Sequence, residues 1–239
     1  MAYSALLAKS VAAAALGLAV SIPAHAEETG ISGLWVQQHA EHGRHLDPPV
    51  LTAEAKAAAA AAAGRQRNAD QPMAKQQCLP TGMPRMMMNE LPLEIVEGKE
   101  RIAVIGEQAE LARTIYLDTT THSTDADPSW MGHSYGKWDD GVLVVDVANF
   151  NDRVSHIPGV NKGSTTTHLV ERYHLENGGK VLVDEMTFTD PKVLAQPYIF
   201  VNRYDRVGQG AQRWEYVCDV DDPNWNTALG FDPNKPQAK

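Results

Sequence analysis

From Leu93 onward, apolar and polar residues alternate with the period of two that marks strands with one buried face. Leu93-Glu-Ile-Val-Glu, Arg101-Ile-Ala-Val-Ile, Ala112-Arg-Thr-Ile-Tyr-Leu, Val142-Leu-Val-Val-Asp-Val, Thr166-His-Leu-Val-Glu-Arg-Tyr, Val181-Leu-Val-Asp-Glu-Met-Thr-Phe, Tyr198-Ile-Phe-Val-Asn-Arg-Tyr and Arg213-Trp-Glu-Tyr-Val-Cys follow one another with turn residues between them. About eight sequential strands, with no helical periods between them, predict a mainly β fold. It is an antiparallel up-and-down barrel or strongly curled sheet, lipocalin-like in architecture. Upstream, Thr52 to Ala63 has helix chemistry, with Thr52 as N-cap, Glu54 in the first turn, seven alanines after Lys56 and Gly64 as the stop. A helix that offers only methyl groups gains little from a core, so this one is expected on the outside, as a cover.

Two turns set the register of two hairpins. Asp140-Gly141 suits a two-residue turn with positive φ at both positions, which sets Tyr135 against Asp146 and Trp138 against Leu143. Centring the second turn on Gly178-Gly179 sets Leu175 against Leu182, Leu169 against Phe188 and Arg172 against Glu185. Each hairpin then has one apolar face and one mixed face. The mixed faces carry His133, Tyr135, Lys137, Val144 and Asp146 on one, and His168, Arg172, His174 and Glu185 on the other. In one reading the mixed face meets water. In the other it lines a pocket inside the barrel, where Arg172 and Glu185 would need each other because a lone buried charge is costly.

The ends of the chain add an address. Met1 to Ala26 has one charged residue, Lys9, then an apolar run from Val11 to Val20 and an Ala24-His25-Ala26 finish. That is the pattern of a secretory signal peptide, and the run is too short to span a bilayer. The expected divisions are a signal peptide over 1–26, an N-terminal segment with the Ala-rich helix over 27–77, the β domain over 78–219 and a loose tail over 220–239. Periplasm or medium is the expected location. Losing Lys9 with the leader takes the formal charge from −9 to −10, which disfavours nucleic acid and anionic membranes as partners. No lipid-anchor cysteine follows the leader. Cys78 and Cys218 are the only cysteines, and in an oxidising compartment the pair is expected to form a disulfide.

The densest chemistry lies between Asp127 and Trp138. The stretches Cys78-Leu-Pro-Thr-Gly-Met-Pro-Arg-Met, Ser129-Trp-Met-Gly-His-Ser-Tyr-Gly-Lys-Trp, Leu143-Val-Val-Asp, Glu171-Arg-Tyr and Asp190-Pro resemble a family of exported bacterial β-rich proteins. Its members carry Asp-Gly-Asp-Thr where this chain has Asp139-Asp-Gly-Val142. The resemblance spans roughly Cys78 to Pro197 and implies an exported β-rich domain. It assigns no catalytic residue.

Three functional classes remain. In the first, the barrel binds a small, largely apolar or aromatic molecule, with Trp130, Tyr135 and Trp138 as stacking surface and Arg172 fixing its polar end. In the second, His133 or His168 does acid–base work beside Asp146 or Glu185, as in a non-hydrolytic lyase or isomerase. Nucleophile elbows, phosphate loops, dinucleotide fingerprints and zinc helices are missing from the sequence, and no cofactor is implied. In the third, His39, His42 and His45 bind copper or zinc, with Met83, Met86, Met87 and Met88 either as thioether ligands or as core filler.

Overall fold

The computed structural model describes residues 30–38, 48–63, 80–89, 91–107, 112–122, 125–160, 163–208 and 210–214. The expected signal peptide, His39, His42, His45, Cys78, Cys218 and the C-terminal tail lie outside the described residues.

The described chain is mainly β. Nine strands close into one barrel: β1 (Gly33–Gln37), β2 (Leu93–Glu97), β3 (Arg101–Gly106), β4 (Ala112–Tyr116), β5 (His133–Asp139), β6 (Val142–Ala148), β7 (His168–Glu176), β8 (Val181–Thr189) and β9 (Tyr198–Arg206). Neighbours in sequence are neighbours in space, and every pair is antiparallel except β4 and β5. That exception departs from the all-antiparallel expectation. The connection 117–132 carries the chain back beside β4, so that Ile115 pairs Ser134 and Tyr116 pairs Tyr135 in parallel.

Closure also differs from the expected scheme. The sequence suggested a last strand from Arg213, but Arg213 and Trp214 are irregular and bind the carboxylates of Glu94 and Glu107. β1 closes the barrel instead, pairing with both β2 and β9 from within the segment expected to precede the β domain. Its anchor is Trp35, fully buried, with Nε1 donating to the Ile31 carbonyl at 2.9 Å and the Arg206 guanidinium over its ring.

Both hairpins have the register that the turns indicated. Asp140 and Gly141 have φ of 48° and 79°, and Tyr135 opposes Asp146. At the other turn Asn177, Gly178 and Gly179 all have positive φ, and Arg172 opposes Glu185. The apolar faces point inward: Leu143, Val145, Val147, Leu169, Met186 and Phe188 are buried. The mixed faces therefore form the outer wall. α1 (Ala53–Ala63) lies on the surface as expected, capped by Thr52, whose Oγ1 accepts from Ala55 N and donates to the Lys192 carbonyl.

The interior is filled by side chains rather than open. Met83, Met86 and Met87 are buried in the core, which is the packing role among the two readings of the methionines. A polar network runs through the same space. Arg113 on β4 makes a bidentate pair with Glu171 on β7, with one contact at 2.8 Å, and its Nε donates to Ser134 Oγ at 3.0 Å. The Tyr173 hydroxyl donates to Glu171 at 2.7 Å. Burial opposes the charge on Arg113, but the Glu171 charge and its hydrogen bond outweigh it and raise its pKa, so it stays protonated. Asp184 on β8 is fully buried, and neither of its carboxyl oxygens has a hydrogen-bond partner. Burial, and then the Glu171 charge, raise its pKa well above the carboxylate range, while Arg113 and Tyr173 act the other way.

Two predictions follow from this interior. Glu171→Gln leaves the Arg113 charge buried and uncompensated, and should cost about 3–5 kcal/mol in urea unfolding; a loss under about 1 kcal/mol would mean that the pair is solvated. Asp184 keeps a proton in the folded state that the unfolded chain releases near pH ~3.9. Its contribution to stability is therefore full below that pH and is lost as pH rises toward the folded pKa. Urea midpoints of the wild type should fall relative to those of Asp184→Asn as pH is raised from about 4, whereas parallel profiles would show that Asp184 is ionised in both states.

Candidate functional site

Four strands and one connection meet on the outer wall around Asp146. Asp146 lies on β6, His133 and Tyr135 on β5, His168 at the start of β7 and Tyr116 at the end of β4. Strand alternation puts all five side chains on the outward face. Two backbone features hold β5 in place. Ser129 bridges to the end of β6, with its N–H donating to the Asn149 carbonyl and its carbonyl accepting from Asn151 N–H. Gly132 then takes φ of +66°, where a Cβ would lie 2.6 Å from the Ala148 carbonyl oxygen. Gly136, on the inward face, admits Ile115: a Cβ there would lie 2.8 Å from the Ile115 side chain. Both glycines thus permit close approach of the protein's own backbone or core.

The sequence reading missed one member of the cluster. His122, from the connection 117–132, folds over this wall and directs Nε2 to Asp146 Oδ1 at 2.6 Å. His168 Nε2 approaches the same oxygen at 2.7 Å. On the far side of the His122 ring, Nδ1 lies 3.1 Å from His133 Nδ1. The His133 ring stacks on Tyr116 with centroids 5.2 Å apart, and the Tyr135 ring lies 4.8 Å from that of His122. Asp146, His122 and His133 are half-buried, and His168 is more open.

Hydrogen-bond direction assigns the protons in the neutral arrangement. His122 and His168 each donate Nε2–H to the Asp146 carboxylate. His122 Nδ1 then holds a lone pair and accepts from His133 Nδ1–H, which leaves the lone pair of His133 on Nε2. Charges follow the same geometry. For Asp146, burial works against ionisation, but hydrogen bonds from His168 and His122 outweigh it and lower the pKa. The bond to Asp146 raises that of His168 against the effect of burial. Burial, and then the neighbouring His122, lower that of His133. Burial and the Asp146 charge raise that of Tyr135.

Of the residues singled out from the sequence, His133, Asp146, His168 and Tyr135 come together, but on the outer wall and not in an interior pocket. Glu185 and Arg172 face each other across β7 and β8 on the same wall, outside the hydrogen bonds of the cluster. Trp130 and Trp138 do not join Tyr135 in a stacking surface. Trp138 has the opposite strand parity and is 43% exposed near the hairpin turn, while Trp130 lies in the connection ahead of β5. The Asp190-Pro motif proves structural: Asp190 accepts from Thr166, Thr167 and the backbone of Lys192 and Val193.

A second feature lies at a barrel mouth. Residues 80–89 plug it, tied in by Asn202 Nδ2 and the Tyr204 hydroxyl, which donate to the Met87 carbonyl. Between this plug and the loop 155–159 is a cavity of about 400 Å³, bordered by Thr81, Arg85, Met88, Ser155, Ile157 and Pro158 among others. The Thr81 hydroxyl is shielded from solvent and has no partner. No protein-family model matches the chain, and no match was found among curated proteins.

Proposed function

We propose that the protein is an extracytoplasmic enzyme that transfers a proton to or from a small molecule bound on the outer wall of its barrel, at His133 Nε2, as in a lyase or isomerase. The observation that carries this reading is the convergence of two imidazoles on one carboxylate at a half-open surface, with a third imidazole held by the first of them. Such a cluster does little for stability, because exposed ion pairs contribute only about 0–1 kcal/mol, and the buried Arg113–Glu171 pair already ties the strands together from within. It does suit proton transfer. Asp146 fixes two rings by their Nε2 atoms, one of these fixes His133, and the stack on Tyr116 restrains the His133 plane.

The probe is 5-nitrobenzisoxazole, whose ring opens when a base removes its carbon-bound proton, breaking the N–O bond and releasing a coloured phenolate. The wild type should accelerate the opening, and His133→Gln should lose about 100-fold or more of that acceleration. His174→Gln, further along β7, should keep it. Equal rates for wild type and His133→Gln would reject His133 as the proton-transfer group.

A second reading follows from the cavity at the mouth. The unpartnered Thr81 hydroxyl, the Arg85 guanidinium and the apolar surfaces of Met88, Ile157 and Pro158 suit a small amphipathic anion. With 8-anilinonaphthalene-1-sulfonate as the probe, saturable fluorescence should weaken in Arg85→Gln. Unchanged affinity in that variant would remove the reading.

A further inference from the structure

We infer that His122, Asp146 and His168 form a binding site for a divalent first-row transition-metal ion, with His133 as the residue that orients His122. The inference rests on the reading of this cluster as the working site, and it names the cofactor. The three donor atoms come from a loop and two strands, yet all lie within 4.8 Å of one another. Two nitrogens and one carboxylate oxygen are the donor set that suits zinc or iron(II). Hard ions such as magnesium and calcium favour all-oxygen sets. Three protein ligands at a half-open wall leave coordination positions free for water or substrate.

The distances suit capture of an ion without rebuilding the fold. Nε2 of His122 and of His168 now sit at hydrogen-bond length from Asp146 Oδ1, at 2.6 and 2.7 Å. Ligand bonds of about 2.0–2.2 Å require these donors to move apart only slightly, and their half-exposed side chains can do so by rotation. The interior under β6 and β7 need not change. Asp146 is restrained by its strand, whereas His122 comes from a connection and needs a second hold. His133 supplies it through the Nδ1–Nδ1 contact of 3.1 Å, the outer hydrogen bond that metal-bound histidines characteristically make.

Binding has a consequence for His133. An ion takes the lone pair of His122 Nε2, so the His122 proton must reside on Nδ1 and be donated to His133 Nδ1. The proton of His133 then moves to Nε2. No proton is gained or lost across the two rings, but His133 Nε2 changes from an acceptor to a donor facing whatever occupies the ion's open positions.

The test uses the full mature chain, purified without a histidine tag, stripped with a chelator and titrated with cobalt(II) alone, reading its visible absorption and stoichiometry. The wild type should take up one ion per chain. His122→Ala, Asp146→Asn and His168→Ala should lose saturable uptake, with urea midpoints checked to show that each variant is folded. A chain with His39, His42 and His45 all changed to Gln should keep it. His133→Gln should bind about 10–100-fold more weakly, and in the wild type zinc should move the His133 proton to Nε2 in nitrogen NMR. No saturable uptake by the wild type, or uptake unchanged in Asp146→Asn and His168→Ala, would overturn the site. Ring opening is read on the chelator-stripped chain, where His133 Nε2 holds its lone pair. Saturable ion uptake with no His133-dependent opening in the stripped chain would reject proton transfer alone. Ring opening without uptake would reject the metal site alone.

Discussion

The Arg113–Glu171 pair is the contact on which the rest of the barrel wall depends. It joins β4 to β7 through the interior, passing beneath β5 and β6, the two strands that carry His133 and Asp146 outward. A guanidinium and a carboxylate withdrawn from water are stable only in near-ideal bidentate geometry. The pair therefore fixes the separation of β4 and β7 to within the tolerance of its hydrogen bonds, and Ser134 and Tyr173 fix the remaining donors and acceptors. The curvature of the outer wall is set from inside. Tyr116 and His168, at the margins of the cluster, belong to those same two strands.

A filled interior places the chemistry outside. Barrels of this size can hold a ligand only if the inward side chains are small, and here they include Trp35, Arg113, Tyr173, Tyr204 and Phe188. What remains for recognition is the outer wall and the mouth, where the connection 117–132 and the plug 80–89 add groups that strands alone do not supply. The parallel β4–β5 pair is what makes such a connection necessary. A tight hairpin cannot join parallel strands, so the chain must leave the sheet and return, and on that detour it carries His122 across β5 toward Asp146.

Much of the sheet was legible because its information is local. Asp140-Gly141 and Gly178-Gly179 admit few backbone conformations, and a register error of one residue would have turned Leu169, Val145 and Phe188 to water. The partners Arg172 and Glu185, and Tyr135 and Asp146, follow from that alone. β1 was not legible: five residues around one tryptophan have too little periodicity to stand out from a polar segment. The inward face contained a signal that passed unread. Once the registers are set, Glu171 lies between Leu169 and Tyr173, and Asp184 between Leu182 and Met186, so charges on an apolar stripe mark a buried network. Arg113, next to Ile115 in parity, completes it. His122 had no such marker, because its position depends on the course of a loop, which periodicity does not encode.

The two carboxylates Asp146 and Asp184 show how differently the same side chain behaves on the two faces of one sheet. Asp146 receives two imidazole donors and keeps its charge, because both donors and water offset the cost of partial burial. Asp184 is fully buried, neither of its oxygens is within hydrogen-bond geometry of a donor, and its neighbour Glu171 is negatively charged, so the proton stays with it. Among the described strand residues that point into the barrel, fully buried charge is thereby limited to the Arg113–Glu171 pair. On the outside, the ionised Asp146 attracts positive charge and holds ligand-type atoms around one oxygen, where water and small solutes have access. That division lets the histidine cluster change its protonation or bind an ion without disturbing the core: the side chains that would have to move are separated from the Arg113–Glu171 pair by the thickness of the sheet.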